Sequence, residues 1–283
     1  MSRALVLIFC WLWLLVLAIV PLAIILAIAL AEPADTVPPF RFAAGFGNFA
    51  VAATDPLYLR AFWLSLRTAA ISTAACLLLG YPMALGIARA AERWRGLLLL
   101  ALMLPFWTGF LMRVNAWIGM LRDDGWINAA LTFFGFAPAR LLYTDTALYI
   151  GMVYTYLPFM VLPIYARLAK LDPALLEAAA DLGAPPFRAF LRVTLPLSLP
   201  GVAAGVALVF IPCVGEYVIP DLLGGPGARL IGRVLWDEFF QNRDWPMAAS
   251  LAWLLLVILV VVPVAALGSR RAVLQRSQKA RAS

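Results

Sequence analysis

Apolar and polar residues lie along this chain in long blocks. Six blocks are apolar almost throughout, at residues 6–30, 61–88, 97–121, 146–168, 199–222 and 248–267. Each approaches or exceeds the roughly 20 residues a helix needs to cross a bilayer, and the pattern predicts an all-α integral membrane protein with about six transmembrane helices. Pro212, Glu216 and Pro220 make the fifth block the least regular. The first follows Arg3, and Ala29-Leu30-Ala31 before Glu32 mimics a signal-peptidase site. A cleaved signal has an apolar core of about 7–15 residues, so this longer run is expected to remain as a first helix.

Between the fourth and fifth blocks the periodicity changes. Asp172 followed by Pro173 is an N-cap with proline at the first helical position, where its missing N–H does no harm. Leu175, Leu176, Ala179 and Leu182 then recur at helical spacing as one narrow apolar stripe. Gly183 stands where a helix ends in a left-handed cap. Pro185 and Pro186 open a second short helix, 187–193, which is expected to stop before Pro196. The product is an elbow of helix, glycine corner and helix. It suits either docking into a groove on a partner or lying on the membrane surface as an amphipathic connector.

Composition supports the membrane reading. Of 283 residues 64% are hydrophobic and 13% charged, more apolar surface than a soluble domain of this size uses. No internal repeat, low-complexity tract or compositional break divides residues 1–283, which read as a single transmembrane domain. Thirteen basic residues fall on the side holding both termini, the elbow and the basic tail 268–283, and seven fall on the other. The richer side is expected to be cytoplasmic. This asymmetry accounts for the net charge of +7 without nucleic acid. On the outer side eleven acids face those seven arginines, which either attracts cations or reflects the looser rule that acids follow.

Much chemistry is excluded. The chain has no histidine, and Cys10, Cys76 and Cys213 lie far apart in apolar blocks, so neither a metal site nor a disulfide framework is expected. Its two lysines, Lys170 and Lys279, do not follow a phosphate-cradling glycine loop. Any ATP that drives the protein is expected to be hydrolysed by another polypeptide.

Charged groups at membrane depth are costly and usually face a cavity or a partner. Glu216 lies in Phe210-Ile211-Pro212-Cys213-Val214-Gly215-Glu216-Tyr217-Val218-Ile219-Pro220, where two prolines and a glycine loosen the helix. A carboxylate beside the Tyr217 ring is a seat for an ammonium group, by ion pairing and cation–π attraction. The alternative is that Glu216 pairs structurally with Arg113 or Arg67. Trp236-Asp237-Glu238-Phe239-Phe240 sets two acids among aromatic rings, in an expected short outer helix. Trp107, Trp117, Trp126, Tyr154 and Tyr156 are mostly interfacial anchors or packing, with Trp107 and Tyr156 candidates for a substrate path.

Two sets of residues carry a family resemblance. Glu177-Ala178-Ala179-Ala180-Asp181-Leu182-Gly183, followed after nine residues by Val193-Thr194-Leu195-Pro196, resembles the cytoplasmic EAA loop of the membrane subunits of binding-protein-dependent ABC importers. Asp55-Pro56-Leu57-Tyr58, Gly80-Tyr81-Pro82, the stretch Leu104 to Val114, the Glu216 run and Ile231 to Pro246 resemble the permeases of bacterial polyamine (putrescine/spermidine) importers, within residues 46–268. The resemblance implies the type I ABC importer permease fold, with residues 171–196 as the coupling loop. It implies that Glu177, Ala178, Ala179, Asp181, Gly183, Leu195 and Pro196 meet a separate ATPase pair carrying ATP and Mg. It further implies a second, homologous permease in a heterodimer, an extracytoplasmic binding protein, and a multi-pass place in the bacterial inner membrane with both termini cytoplasmic. Related branches import other organic cations and small solutes. The rival of another class, an ion-gradient-driven carrier or channel, is opposed by the EAA-like loop and the lack of an inverted repeat.

Overall fold

A computed structural model describes the chain from Arg3 to Val261. Among the described residues there are two compact units, one of residues 3–60 and 234–261 and one of Ala61–Arg233.

In the first unit, α1 (Arg3–Ala29) packs on α13 (Trp245–Leu256), which also meets α2 (Gly47–Thr54). Apolar side chains on every side of α1 stay exposed, which suits a helix whose solvent is lipid. A small antiparallel hairpin follows, with β1 (Glu32–Pro33) paired to β2 (Phe40–Arg41). Asn48 of α2 donates to Ala29 O at 3.0 Å and Ala31 O at 2.7 Å, and both alanines are buried.

In the second unit, α7 (Asp145–Leu168) and α10 (Leu195–Gly215) form the most extensive helix pair. Their backbones can approach because Gly201 faces Pro163 O and Gly205 faces Met160, where a Cβ would sit 2.6 Å and 2.8 Å from its nearest neighbour. The long helix α3 (Pro56–Arg89) runs into this unit and sets Gly80 against Met160. Four more helices complete the path to the site: α4 (Glu92–Met103), α5 (Phe110–Leu121), α6 (Trp126–Phe133) and α8 (Pro173–Asp181).

Two expected spans and the elbow need correction. The third, 97–121, is broken: helices Glu92–Trp107 and Phe110–Phe133 meet at 90°. Pro105 has no N–H for the ladder, Leu104–Trp107 tightens to a 3-10 turn, and Thr108 closes it by donating to Pro105 O at 2.8 Å. The fifth, 199–222, stops at Gly215 and resumes as α11 (Val218–Leu223). Among the described residues four helices are long and apolar enough to cross a membrane, or five if the bent pair is one span. The sixth block appears as the shorter Trp245–Val260, and its expected remainder to residue 267 lies outside the described residues, as does the basic tail 268–283.

The third correction concerns the elbow. Its second helix does not stop before Pro196: α9 (Pro186–Ala189), a π turn Phe190–Thr194 and α10 make one continuous helix, Pro186–Gly215. In the π turn Leu195 N–H reaches back five residues to Phe190 O. That shift of the ladder puts Pro196 in the first turn of α10, where proline is tolerated.

Candidate functional site

The first helix of the elbow and its glycine corner form as the sequence predicts. Asp172 Oδ1 accepts from Ala174 N–H at 3.0 Å, and Pro173 occupies the first helical position of α8. At the other end Gly183 has φ +76°. Gly183 N–H donates to Ala180 O at 2.8 Å and Ala184 N–H to Ala179 O at 3.0 Å, the paired bonds of a glycine-terminated helix. Glu177, Ala178, Asp181, Gly183 and Pro196 are exposed, while Ala179 and Leu195 are half-buried. The corner also presents apolar groups: Leu182 is 88% exposed and Phe187 71%. A rigid exposed knuckle of this kind suits a groove on another protein.

The second feature is the break at Glu216. Glu216 Oε1 accepts from the N–H groups of Tyr217 at 3.2 Å, Val218 at 3.0 Å and, more weakly, Ile219 at 3.5 Å. The carboxylate thus caps α11, where a negative charge is favoured by the helix dipole. Tyr156 of α7 donates its hydroxyl to Glu216 Oε2 at 2.5 Å. Tyr156 is buried and Glu216 and Tyr217 are half-buried. The structure therefore brings Glu216, Tyr217 and Tyr156 together.

Arg113 does not pair with Glu216. It donates to Pro105 O at 3.1 Å and lies over the Phe106 ring, 4.8 Å from its centroid. Phe106 in turn meets Phe159 edge-on at 5.3 Å, and Phe159 lies 6.3 Å from Tyr156. Arg67 is exposed. Among the described residues the hydrogen bonds to Glu216 come from neutral donors, the Tyr156 hydroxyl and the backbone amides of Tyr217, Val218 and Ile219. Trp107 stands at the break of the bent pair and is 81% exposed.

Packed on the Glu216 break is α12 (Ile231–Trp236), held by Ser65 Oγ, which accepts from Ile231 N–H at 2.7 Å. A Cβ at Gly232 would fall 2.3 Å from Gly215 O and 2.9 Å from Glu216 O. Gly232 lies in a stretch that the sequence singled out, although its contact with the break was not legible there.

Asp237 and Glu238 belong to the first unit, on a π turn Asp237–Gln241 that continues α12. Glu238 is 9% exposed, accepting from the Tyr58 hydroxyl at 3.0 Å and from Asn242 Nδ2 at 2.8 Å. Asp237 is half-buried and accepts from Gln241 Nε2 at 3.0 Å. Tyr58 and Asn242 were missed as partners: Tyr58 lies 180 residues away in the chain, beyond any local pattern. Around the turn Trp236, Phe240, Phe239 and Trp245 form a continuous series of ring contacts, closing with a stacked pair at 5.0 Å.

Likenesses to known proteins give this geometry its setting. The family described as binding-protein-dependent transport system inner membrane component matches residues 77–276. The spermidine/putrescine transport system permease protein PotB of Haemophilus influenzae is 43% identical over 210 residues, 74% of this chain and 73% of that protein. PotB of Escherichia coli is 42% identical over 207 residues, 72% of this chain and 75% of its own length. A solved bacterial alginate ABC transporter, in complex with an alginate pentasaccharide-bound periplasmic protein, superposes with a TM-score of 0.70 over 95% of this chain and 94% of that one. At 19% identity that likeness concerns the fold alone.

Proposed function

The chain belongs to the binding-protein-dependent transport system inner membrane components, and from that membership we propose that it is the permease subunit of an ATP-driven importer carrying a polyamine, putrescine and/or spermidine, across the bacterial inner membrane. The observation that carries the substrate is the 43% identity to a spermidine/putrescine permease over about three-quarters of both chains. The chain is a transport subunit and leaves hydrolysis to others.

An ATPase pair holding ATP and Mg docks on the elbow, through Glu177, Ala178, Ala179, Asp181, Gly183, Leu195 and Pro196. The exposed Leu182 and Phe187 support that reading, because they give the corner an apolar surface that a partner groove can bury. The other partners are a second, homologous permease in a heterodimer, an extracytoplasmic substrate-binding protein and membrane lipid. Both termini are cytoplasmic, and 1–283 acts as one transmembrane domain.

Transport proceeds by alternating access. The loaded binding protein docks outside, ATP closes the ATPase pair, the elbow moves, and the permeases rock between inward- and outward-facing states. Our candidates for the substrate path are Glu216, Tyr217, Tyr156 and Trp107 in the second unit and Asp237 and Glu238 in the first. For Glu216 the physical support is its set of neutral donors: a protonated amine that approaches the carboxylate meets the Tyr156 hydroxyl and backbone amides there, with the aromatic residue Tyr156 beside it.

The test is uptake of labelled putrescine and spermidine into cells lacking the gene, with and without its restoration. Restored, energy-dependent uptake of either supports the polyamine importer, and the ratio names the substrate. No difference, with the subunit present and its ATPase bound, keeps the importer and overturns the ligand.

A further inference from the structure

The continuous helix Pro186–Gly215 joins the elbow directly to the Glu216 break, and it carries one irregular turn on the way, Phe190–Thr194. A π turn is rare and interrupts the regular ladder of an α-helix, which makes it the place where this helix can yield. Its Thr194 hydroxyl is buried and, among the described residues, has no hydrogen-bond partner. Left unsupported, such a turn would absorb a push on the elbow by repacking, and the motion would not reach the break.

Tyr81 of α3 holds both sides of this turn. Its ring meets Phe190, the first residue of the turn, edge-on, with centroids 5.8 Å apart and planes at 87°. Its hydroxyl lies 2.8 Å from Ser198 Oγ, one helical turn past the other end. Ser198 is fully buried and gives its single proton to Leu195 O at 2.9 Å. Ser198 Oγ is therefore the acceptor, and the Tyr81 hydroxyl donates.

We propose that Tyr81 is a positioning residue for coupling: by gripping Phe190 and Ser198 it braces the π turn, so that α3 and the helix Pro186–Gly215 move together when the ATPase pushes the elbow. The proposal rests on the elbow being the ATPase contact. It does not place Tyr81 on the substrate path or against the ATPase.

The experiment uses the assembled importer in proteoliposomes, with ATPase pair, partner permease and binding protein, and reads polyamine taken up per ATP hydrolysed. Tyr81→Phe keeps the ring on Phe190 and loses the donor; Ser198→Ala loses the acceptor. Each is expected to lower uptake per ATP about three- to tenfold, the range of one lost hydrogen bond, while hydrolysis continues. The double variant is expected to be no worse than either single one. Unchanged uptake per ATP in Ser198→Ala, or losses that multiply in the double variant, overturns the proposal. If Tyr81→Phe fails to assemble, Ser198→Ala decides alone, because it leaves the aromatic contact in place. Gly183→Asp in the same assay separates the two readings. Full coupled uptake by Gly183→Asp sinks the elbow itself, whereas its loss beside normal coupling in Tyr81→Phe and Ser198→Ala sinks only the brace.

Discussion

The Tyr156 hydroxyl lies 2.5 Å from Glu216 Oε2, sixty residues away in sequence, and joins α7 to the point where the α10 helix breaks. The opposite carboxylate oxygen accepts from the backbone amides of Tyr217 and Val218, where α11 begins. Substitution can therefore separate charge from geometry. Gln at 216 keeps an oxygen for those amides, and its NH₂ can donate to the tyrosine oxygen, so the charge is lost and the Tyr156 proton gives up its acceptor while the contact itself stays. Glu216→Gln is expected to insert normally and to raise the substrate concentration for half-maximal uptake about tenfold, corresponding to roughly 1.4 kcal/mol. Tyr156→Phe keeps the charge and removes the donor, and is expected to cost about 1.5–3 kcal/mol of stability in thermal unfolding in detergent, the range for a hydrogen bond to a charged group. Unaltered half-saturation in Glu216→Gln would leave the carboxylate as a helix cap alone.

Gly183 permits a test of the elbow that sterics do not confuse. A Cβ there meets nothing within 4 Å, so any penalty comes from φ +76° or from what the new side chain presents to a partner. Asn and Asp both tolerate the left-handed region, whereas Ala costs about 1–2 kcal/mol there. Gly183→Asn is expected to retain most uptake and Gly183→Ala to lose part of it. Gly183→Asp is expected to abolish it by placing a carboxylate on the docking surface, with membrane levels unchanged. Equal uptake by the Asn and Asp variants would show that the corner meets no partner.

These two sites differ in how far they could be read from sequence. The elbow was legible because its determinants are local: a cap, a proline and a glycine within twelve residues, from Asp172 to Gly183, specify one helix and its end. The Glu216 break was half-legible. Its prolines and glycine announced an interruption, but the cap on α11 and the donor from Tyr156 depend on tertiary packing. The bent third span had Pro105 and Gly109 as its signal, and an average over apolar residues smoothed both away. Pairings such as Tyr58 with Glu238 and Ser65 with Ile231 span 180 and 166 residues and leave no periodic trace. The π turn at Phe190–Thr194 was illegible for another reason. It shifts the hydrogen-bond ladder without changing which residues are apolar.

Glu238 distinguishes a charge from an acceptor. It is nearly buried, and its donors among the described residues, Tyr58 and Asn242, are both neutral and both able to reverse their roles toward an amide. Glu238→Gln is expected to reach normal membrane levels, yet to raise the half-saturating polyamine concentration severalfold. Glu238→Ala leaves two buried groups without a partner and is expected to cost about 2–3 kcal/mol, seen as loss of the subunit from the membrane. A Gln variant with normal half-saturation would confine Glu238 to holding α3 and the Asp237–Gln241 turn together.

The tightest approach to the break is made by Gly232, and the atoms it faces cannot move aside. A methyl at this position would stand 2.3 Å from Gly215 O and 2.9 Å from Glu216 O, both main-chain oxygens fixed by the end of α10. Relief requires the start of α12 to withdraw, which pulls Ile231 N–H away from the Ser65 hydroxyl 2.7 Å from it. Gly232→Ala is expected to cost about 1–3 kcal/mol through this overpacking, and to lower uptake by loosening the segment that holds Glu216. Gly86, on α3, is the matched control. A Cβ there meets nothing within 4 Å, so Gly86→Ala is expected to stabilise by about 0.5–1 kcal/mol through helix propensity alone. Thermal unfolding of the two variants in detergent should move in opposite directions, and a shared direction would refute the close contact at Gly232.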